Sequence, residues 1–189
     1  MAPTTAAPTT TVATTLRATT TVASTAPPTT ATTATTAPPT TAAANYQARG
    51  DAALASISYN WQAKLPGWSV TFSPGREGHR PDLHQRNRIE IFVRDSMSDS
   101  LLRHVIAHEL GHAVDVTLNS SGDRERWQDA RGIGASPWWP GNGISDYSTG
   151  AGDFAECFAA WQVGSGNFRS KLGSAPSGDQ IALLAELAG

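Results

Sequence analysis

The sequence predicts a small α+β domain, with a short sheet in its N-terminal half, carried behind a disordered stalk. Three observations lead there. Residues 1–44 hold 19 Thr, 13 Ala and 6 Pro, with Arg17 as their only charge and no hydrophobic period. Alternation of apolar and polar residues occurs in two short runs, both before residue 94. Beyond residue 98 the apolar residues recur at helical spacing.

The stalk comes first. Small polar residues and Pro bury too little apolar surface to offset the entropy of ordering. Ser/Thr/Pro-rich stretches of this kind separate an anchor or signal from an exported domain and can carry O-linked sugars; a plain linker is the alternative. The stalk favours an extracellular or cell-surface location. Met1 is not followed by a basic and then an apolar leader region, so either a signal lies upstream of it, the favoured expectation, or the chain is not secreted by that route.

Residues 45–189 carry every aromatic residue, all five His and all but one of the charges. A domain of this size buries roughly two-thirds of its unfolded surface, enough to be stable without staples. The chain has 14 basic and 16 acidic residues, a net charge of −2. This excludes a nucleic-acid binder that works through a basic face. A single Cys excludes an intramolecular disulfide framework. No run of 18 apolar residues is present, so no transmembrane segment is expected.

The elements follow in order. Ala53, Leu54, Ile57 and Trp61 suggest a helix over 46–63, stopped by Pro66-Gly67. Trp68, Val70 and Phe72 alternate with polar residues and predict a strand. A polar loop is expected over 74–87, then a second strand at Ile89–Val93. Ser98 can cap a long helix with Asp99 in its first turn, where the dipole favours an anion. Leu102, Ile106, Leu110 and Ala113 form its inner stripe, and the helix should end near Asn119 to Gly122. A shorter helix is expected from Asp123 to Arg131, ended by Gly132. Another should cover Phe154–Trp161, with Ser148 or Thr149 near its start. Ser177 can cap a last helix through Leu183, Leu184 and Leu187.

His108-Glu109-Leu110-Gly111-His112 is an H-E-x-x-H motif inside the long helix. Two His four residues apart point the same way, so both imidazoles can meet one metal. Glu109 lies about a quarter turn round and can reach a metal-bound water as general base. In a chain with five His and six Glu, random order gives about 0.004 such matches.

A catalytic zinc needs a third protein ligand and leaves a fourth position to water. The metzincin class is excluded, because the position ten residues after His108 is Leu118. The best later segment is Gly152-Asp153-Phe154-Ala155-Glu156-Cys157-Phe158. It sets two carboxylates three residues apart in an apolar helix, where burial is costly unless each binds a metal or a charged partner. Asp115, three residues after His112, is placed to accept the outer N–H of a zinc-bound imidazole; a solvated polar residue is the other reading. Cys157 reads as a small core residue.

His108 to Asp115, H-E-L-G-H-A-V-D, and the later D-F-A-E-C-F resemble the gluzincin metallopeptidases. The likeness is to lethal-factor-type catalytic domains, whose motifs read H-E-F-G-H-A-V-D and E-F-F-A-E-A-F. It covers about residues 100–161. The resemblance implies a zincin-like fold and bound Zn2+. It also implies a zinc ligand at the first Glu of the later motif, support from the second Glu four residues on, and transition-state help from an upstream Tyr. This chain departs from that pattern. With F-A-E aligned, the ligand position is Gly152, and Asp153 stands three residues from Glu156. Either Asp153 is the ligand and Glu156 the orienting group, or Glu156 binds. Tyr147, six residues before Asp153, matches the Tyr. His104 is the alternative electrophile, or a plain helix-face residue.

The implied chemistry is zinc-dependent hydrolysis of a peptide or protein substrate. Glu109 would take the proton of the activated water and pass it to the leaving amine. Tyr147 would steady the oxyanion. Ile89–Val93 could pair with an extended substrate. Trp127, Trp138 and Trp139 would line a substrate pocket or pack in the core. Two rivals stand beside this reading: a non-catalytic zinc-stabilised binding module displayed on the stalk, and a zinc amidase acting on a non-protein amide.

Overall fold

The structure is a computed structural model that describes residues 41–75 and 87–189. These residues belong to the unit Pro38–Gly189. The stalk before residue 41 and most of the loop expected at 74–87 lie outside the described residues. In chain order the elements are α1 (Thr41–Ala55), α2 (Trp61–Lys64), β1 (Ser69–Pro74), β2 (Arg88–Val93), α3 (Asp99–Leu118), α4 (Ser121–Arg131), α5 (Gly150–Val163) and α6 (Gly178–Leu187). Single 3-10 turns stand at Asp146–Ser148 and Ser165–Asn167. The domain is thus mixed, with six helices and a two-stranded sheet among the described residues, the sheet drawn from its first half. None of the described helices is long and apolar enough to cross a membrane.

The first helix differs from the expected one. It starts at Thr41, so the expected boundary after residue 44 falls inside its first turn, and it ends at Ala55 rather than running to 63. Gln162 on α5 explains the break. Its Oε1 accepts hydrogen bonds from Ser58 Oγ (2.9 Å) and Tyr59 N (3.0 Å). A tertiary partner satisfies the backbone there, so the helical ladder is not needed.

β1 and β2 pair in parallel, with Val70 opposite Ile89 and Phe72 opposite Ile91. Along β2, Ile89, Ile91 and Val93 are buried, while Arg88, Glu90 and Phe92 are half-buried. That is the period-2 pattern of a strand with one face on a core.

The sheet and α1 pack on α3. Ser98 caps α3 by accepting from Leu101 N (3.2 Å), with Asp99 in the first turn, and Asn119 closes it. Leu102, Ile106, Leu110 and Ala113 are buried. Each such Leu or Ile contributes about 1.5–3 kcal/mol over an exposed position.

α5 is buried on all sides from Gly150 to Ala159, so it fills the centre and α3 packs along it. A Cβ at Gly111 would stand 2.8 Å from Ala155 Cα. The middle of the H-E-L-G-H stretch therefore touches α5 backbone to backbone, which brings α5 side chains within reach of His108. Thr149 caps α5, Ser120 with Asp123 and Ser177 with Gln180 form capping boxes on α4 and α6, and left-handed Gly132 (φ 66°) ends α4.

Candidate metal centre

His108 and His112 stand one turn apart on α3, with their Nε2 atoms 3.2 Å apart. The third member of the group comes from the 3-10 turn before α5. Asp146 Oδ2 lies 3.1 Å from His108 Nε2 and 3.2 Å from His112 Nε2. The three residues form the one cluster of potential ligands found among the described residues. They make a nearly equilateral triangle of donor atoms. A tetrahedral zinc with bonds of about 2.0–2.1 Å sets its ligand atoms roughly 3.3 Å apart, so the triangle fits such an ion. Two imidazoles and one carboxylate suit zinc and its neighbours better than calcium or magnesium.

Hydrogen bonding points the same way. Glu156 Oε1 lies 2.8 Å from His108 Nδ1. An ionised carboxylate only accepts, so Nδ1 carries the proton and the neutral ring turns a bare lone pair at Nε2 towards Asp146. A cation, or a second proton on His108, must sit between these acceptors. Burial by itself would lower the His108 pKa, but hydrogen bonds to Asp146 and Glu156 and the charge of Glu109 push it up to about 9. Burial opposes ionisation of Asp146, yet its bonds to His108 and His112 hold the carboxyl well below the usual range. Burial likewise opposes ionisation of Glu156, and His104 and His108 draw it down to about 2.

Asp146 is positioned by its backbone. Its carbonyl accepts from Thr149 Oγ1 (2.7 Å) and Thr149 N (2.9 Å), while Thr149 Oγ1 accepts from Gly152 N (3.1 Å). Gly152 is needed for that approach. A Cβ there would stand 2.1 Å from the Asp146 carbonyl oxygen and 2.8 Å from its Oδ2. The space that a side chain at Gly152 would take is therefore occupied by Asp146.

Neither Asp153 nor Glu156, the expected third ligands, stands in this group. Asp153 does not join the histidines. Arg131 grips it through Nε–Oδ2 and Nη2–Oδ1 contacts of 2.8 Å each, and Ser170 Oγ (2.6 Å) and Trp127 Nε1 (3.3 Å) complete its shell. Its burial is offset by a charged partner, not by a metal. Glu156 faces the far nitrogen of His108, the orienting position, and accepts also from His104 Nε2 and Arg169 N. Asp115 does not reach His112. Its buried oxygens take Arg124 Nε (2.9 Å) and Trp138 Nε1 (3.0 Å). Sequence reasoning missed Asp146, although one signal was present: its neighbour Tyr147, already singled out.

Glu109 is half-buried and makes no hydrogen bond or ion pair among the described residues. The Tyr147 ring centre lies 5.6 Å from that of His108. Burial raises its pKa, so its hydroxyl keeps its proton. Lys171 N donates to its carbonyl (2.8 Å), and its hydroxyl has no partner among the described residues. His104 is buried, away from the triangle. Trp127 is wholly buried against Phe154, Trp138 is partly buried, and Trp139 is exposed with the Arg124 guanidinium 5.1 Å from its ring. Cys157 is buried, and burial pushes its thiol pKa up, which makes it inert. Comparisons with family models, curated proteins and solved structures found no match to this chain.

Proposed function

We propose that this domain is a zincin-like hydrolase that holds Zn2+ on His108, His112 and Asp146 and cleaves amide bonds in peptide or protein substrates. The observation that supports it most is the triangle of donor atoms beside an H-E-x-x-H glutamate that nothing in the described chain engages. A purely structural zinc is normally closed by four protein ligands and has no use for a free base. The stalk supports display of the domain outside the cell.

Zinc, when bound, supplies the electrophile that acidifies water and polarises a carbonyl. The chain supplies the rest. Glu109 accepts a proton at its carboxylate and returns it to the departing amine. Tyr147 keeps its hydroxyl proton and can donate a hydrogen bond to an oxygen that gains charge, beside His108. Glu156 holds the Nδ1 proton of His108, which fixes the ring and its tautomer. A peptide bond is favoured over other amides by the likeness of the two motifs to peptidases.

The test pairs zinc analysis with cleavage of a peptide mixture. Wild type should hold about one zinc per chain and lose cleavage when chelated. Glu109→Gln should keep the zinc and lose turnover. Wild-type cleavage by Glu109→Gln would refute the mechanism. Zinc without cleavage of peptides would turn the reading to a non-peptide amide or to the binding module.

A further inference from the structure

His104 is an odd residue to find on the inner side of α3. Its relative exposure is 3%, it is no part of the metal triangle, and its Nδ1 is buried without a hydrogen-bond partner. Its Nε2 lies 3.1 Å from Glu156 Oε1 and 3.3 Å from Glu156 Oε2. A carboxylate cannot donate, so the proton of His104 sits on Nε2 and the orphan Nδ1 is a bare acceptor. That is the cheaper way to bury an imidazole with one partner, because an orphan N–H costs more than an orphan lone pair. The ring therefore offers Glu156 a single donor.

The recipient explains why. Glu156 is fully buried and receives three N–H groups, from His104 Nε2, His108 Nδ1 and the backbone of Arg169. Two of its three donors come from one helix, spaced one turn apart. With His104 removed, Glu156 could rotate off His108, and His108 could then take the other tautomer, whose proton blocks Nε2.

We propose that His104 is a positioning residue for metal binding. It fixes the Glu156 carboxylate, and Glu156 in turn fixes the tautomer that offers His108 Nε2 to the ion. This rests on the zinc reading above. Outer partners of metal-bound histidines typically matter by 10–100-fold in affinity, and one link further out the loss should be about tenfold.

The experiment uses the full chain and measures zinc dissociation by competition with a chromophoric chelator. The variants are His104→Phe, His104→Gln and His104→Asn. Phe keeps a ring and loses the donor. The Gln amide nitrogen reaches the place of Nε2, whereas that of Asn reaches only the place of Nδ1. Zinc affinity should fall about tenfold in the Phe and Asn variants and recover in Gln. Nitrogen-15 shifts of the zinc-free protein, taken well above the pH of about 9 at which His108 becomes neutral, should show His108 protonated at Nδ1 in wild type and the Gln variant, and a tautomer mixture in Phe. A packing role alone would lower the melting temperature without this split between Gln and Asn. Unchanged zinc affinity in a folded Phe or Asn variant overturns the positioning role and leaves the zinc reading standing. A wild-type protein that binds no zinc overturns both.

Discussion

Gly152→Ala is a small substitution with a large predicted consequence. In an ordinary helix the change is favourable by about 1 kcal/mol, because Ala loses less backbone entropy than Gly. Here the new Cβ would stand 2.1 Å from the Asp146 carbonyl oxygen, 2.6 Å from its carbonyl carbon and 2.8 Å from its Oδ2. Two of these atoms are backbone and cannot swing aside. Contacts under 3.0 Å are essentially never seen for a real Cβ, so the Asp146 turn must retreat by about 1 Å. Overpacking of this kind costs about 1–3 kcal/mol, offset in part by helix propensity. The melting temperature of the metal-free protein should drop by only a few degrees. Zinc binding should suffer far more, because one of three ligands is displaced by about 1 Å; a loss on the order of a hundredfold is expected. Chelator competition and calorimetry on the same samples read the two effects separately. Zinc affinity within about threefold of wild type in a folded Gly152→Ala protein would refute the placement of Asp146 as a ligand.

Four further outcomes are expected. Asp146→Ala should abolish zinc binding with a stability change of at most about 1 kcal/mol, since its side chain is one-third exposed. Asp153→Ala should do the reverse, lowering stability by about 3–5 kcal/mol through the stranded Arg131 while a folded fraction keeps its zinc; metal analysis and urea melts decide. Tyr147→Phe should leave zinc content unchanged and reduce kcat on order of a hundredfold, measured with any peptide the wild type cleaves. The pH dependence should change sign with metal. His108 has its pKa raised from 6.5 to about 9, so the stability it lends the chelated protein is full below pH 6.5 and is lost as pH rises towards 9. Glu156, lowered from 4.5 to about 2, lends stability above pH 4.5 that is lost as pH falls towards 2. The chelated protein should thus be most stable between those ranges, whereas stabilisation by zinc should grow as pH rises and the imidazole proton departs. Parallel melting curves with and without zinc across that span would contradict this.

Much of the fold could be read from local chemistry. Ser98, Thr149 and Ser177 cap the helices they were expected to start, because a cap is a contact between neighbours in sequence. The strand at Ile89–Val93 kept its alternation for the same reason. The break after Ala55 was hidden, since Gln162 acts from more than a hundred residues away. In the site, helical spacing found His108, Glu109 and His112. It failed for Asp146, which belongs to no periodic segment and reaches the histidines by the closeness that Gly152 permits. Asp153 looked like a ligand because a buried acid needs a partner. Its partner is a cation on α4, and nothing in the spacing of residues 131 and 153 announces that contact.

Arg131 does more than neutralise an acid. From the last turn of α4 it also donates to Ser174 O and to Gln180 Oε1, the side chain that caps α6. Four stretches of chain meet on one guanidinium, as stones meet on a keystone. A trimmed version of this domain therefore cannot stop at the end of α5, even though every residue of the metal triangle would survive the cut. Shortening from the C-terminus would strip Ser170, Ser174 and Gln180 from the buried pair and let water into the N-terminal half of α5. The tail of the chain thus sets the smallest piece that keeps the proposed site intact.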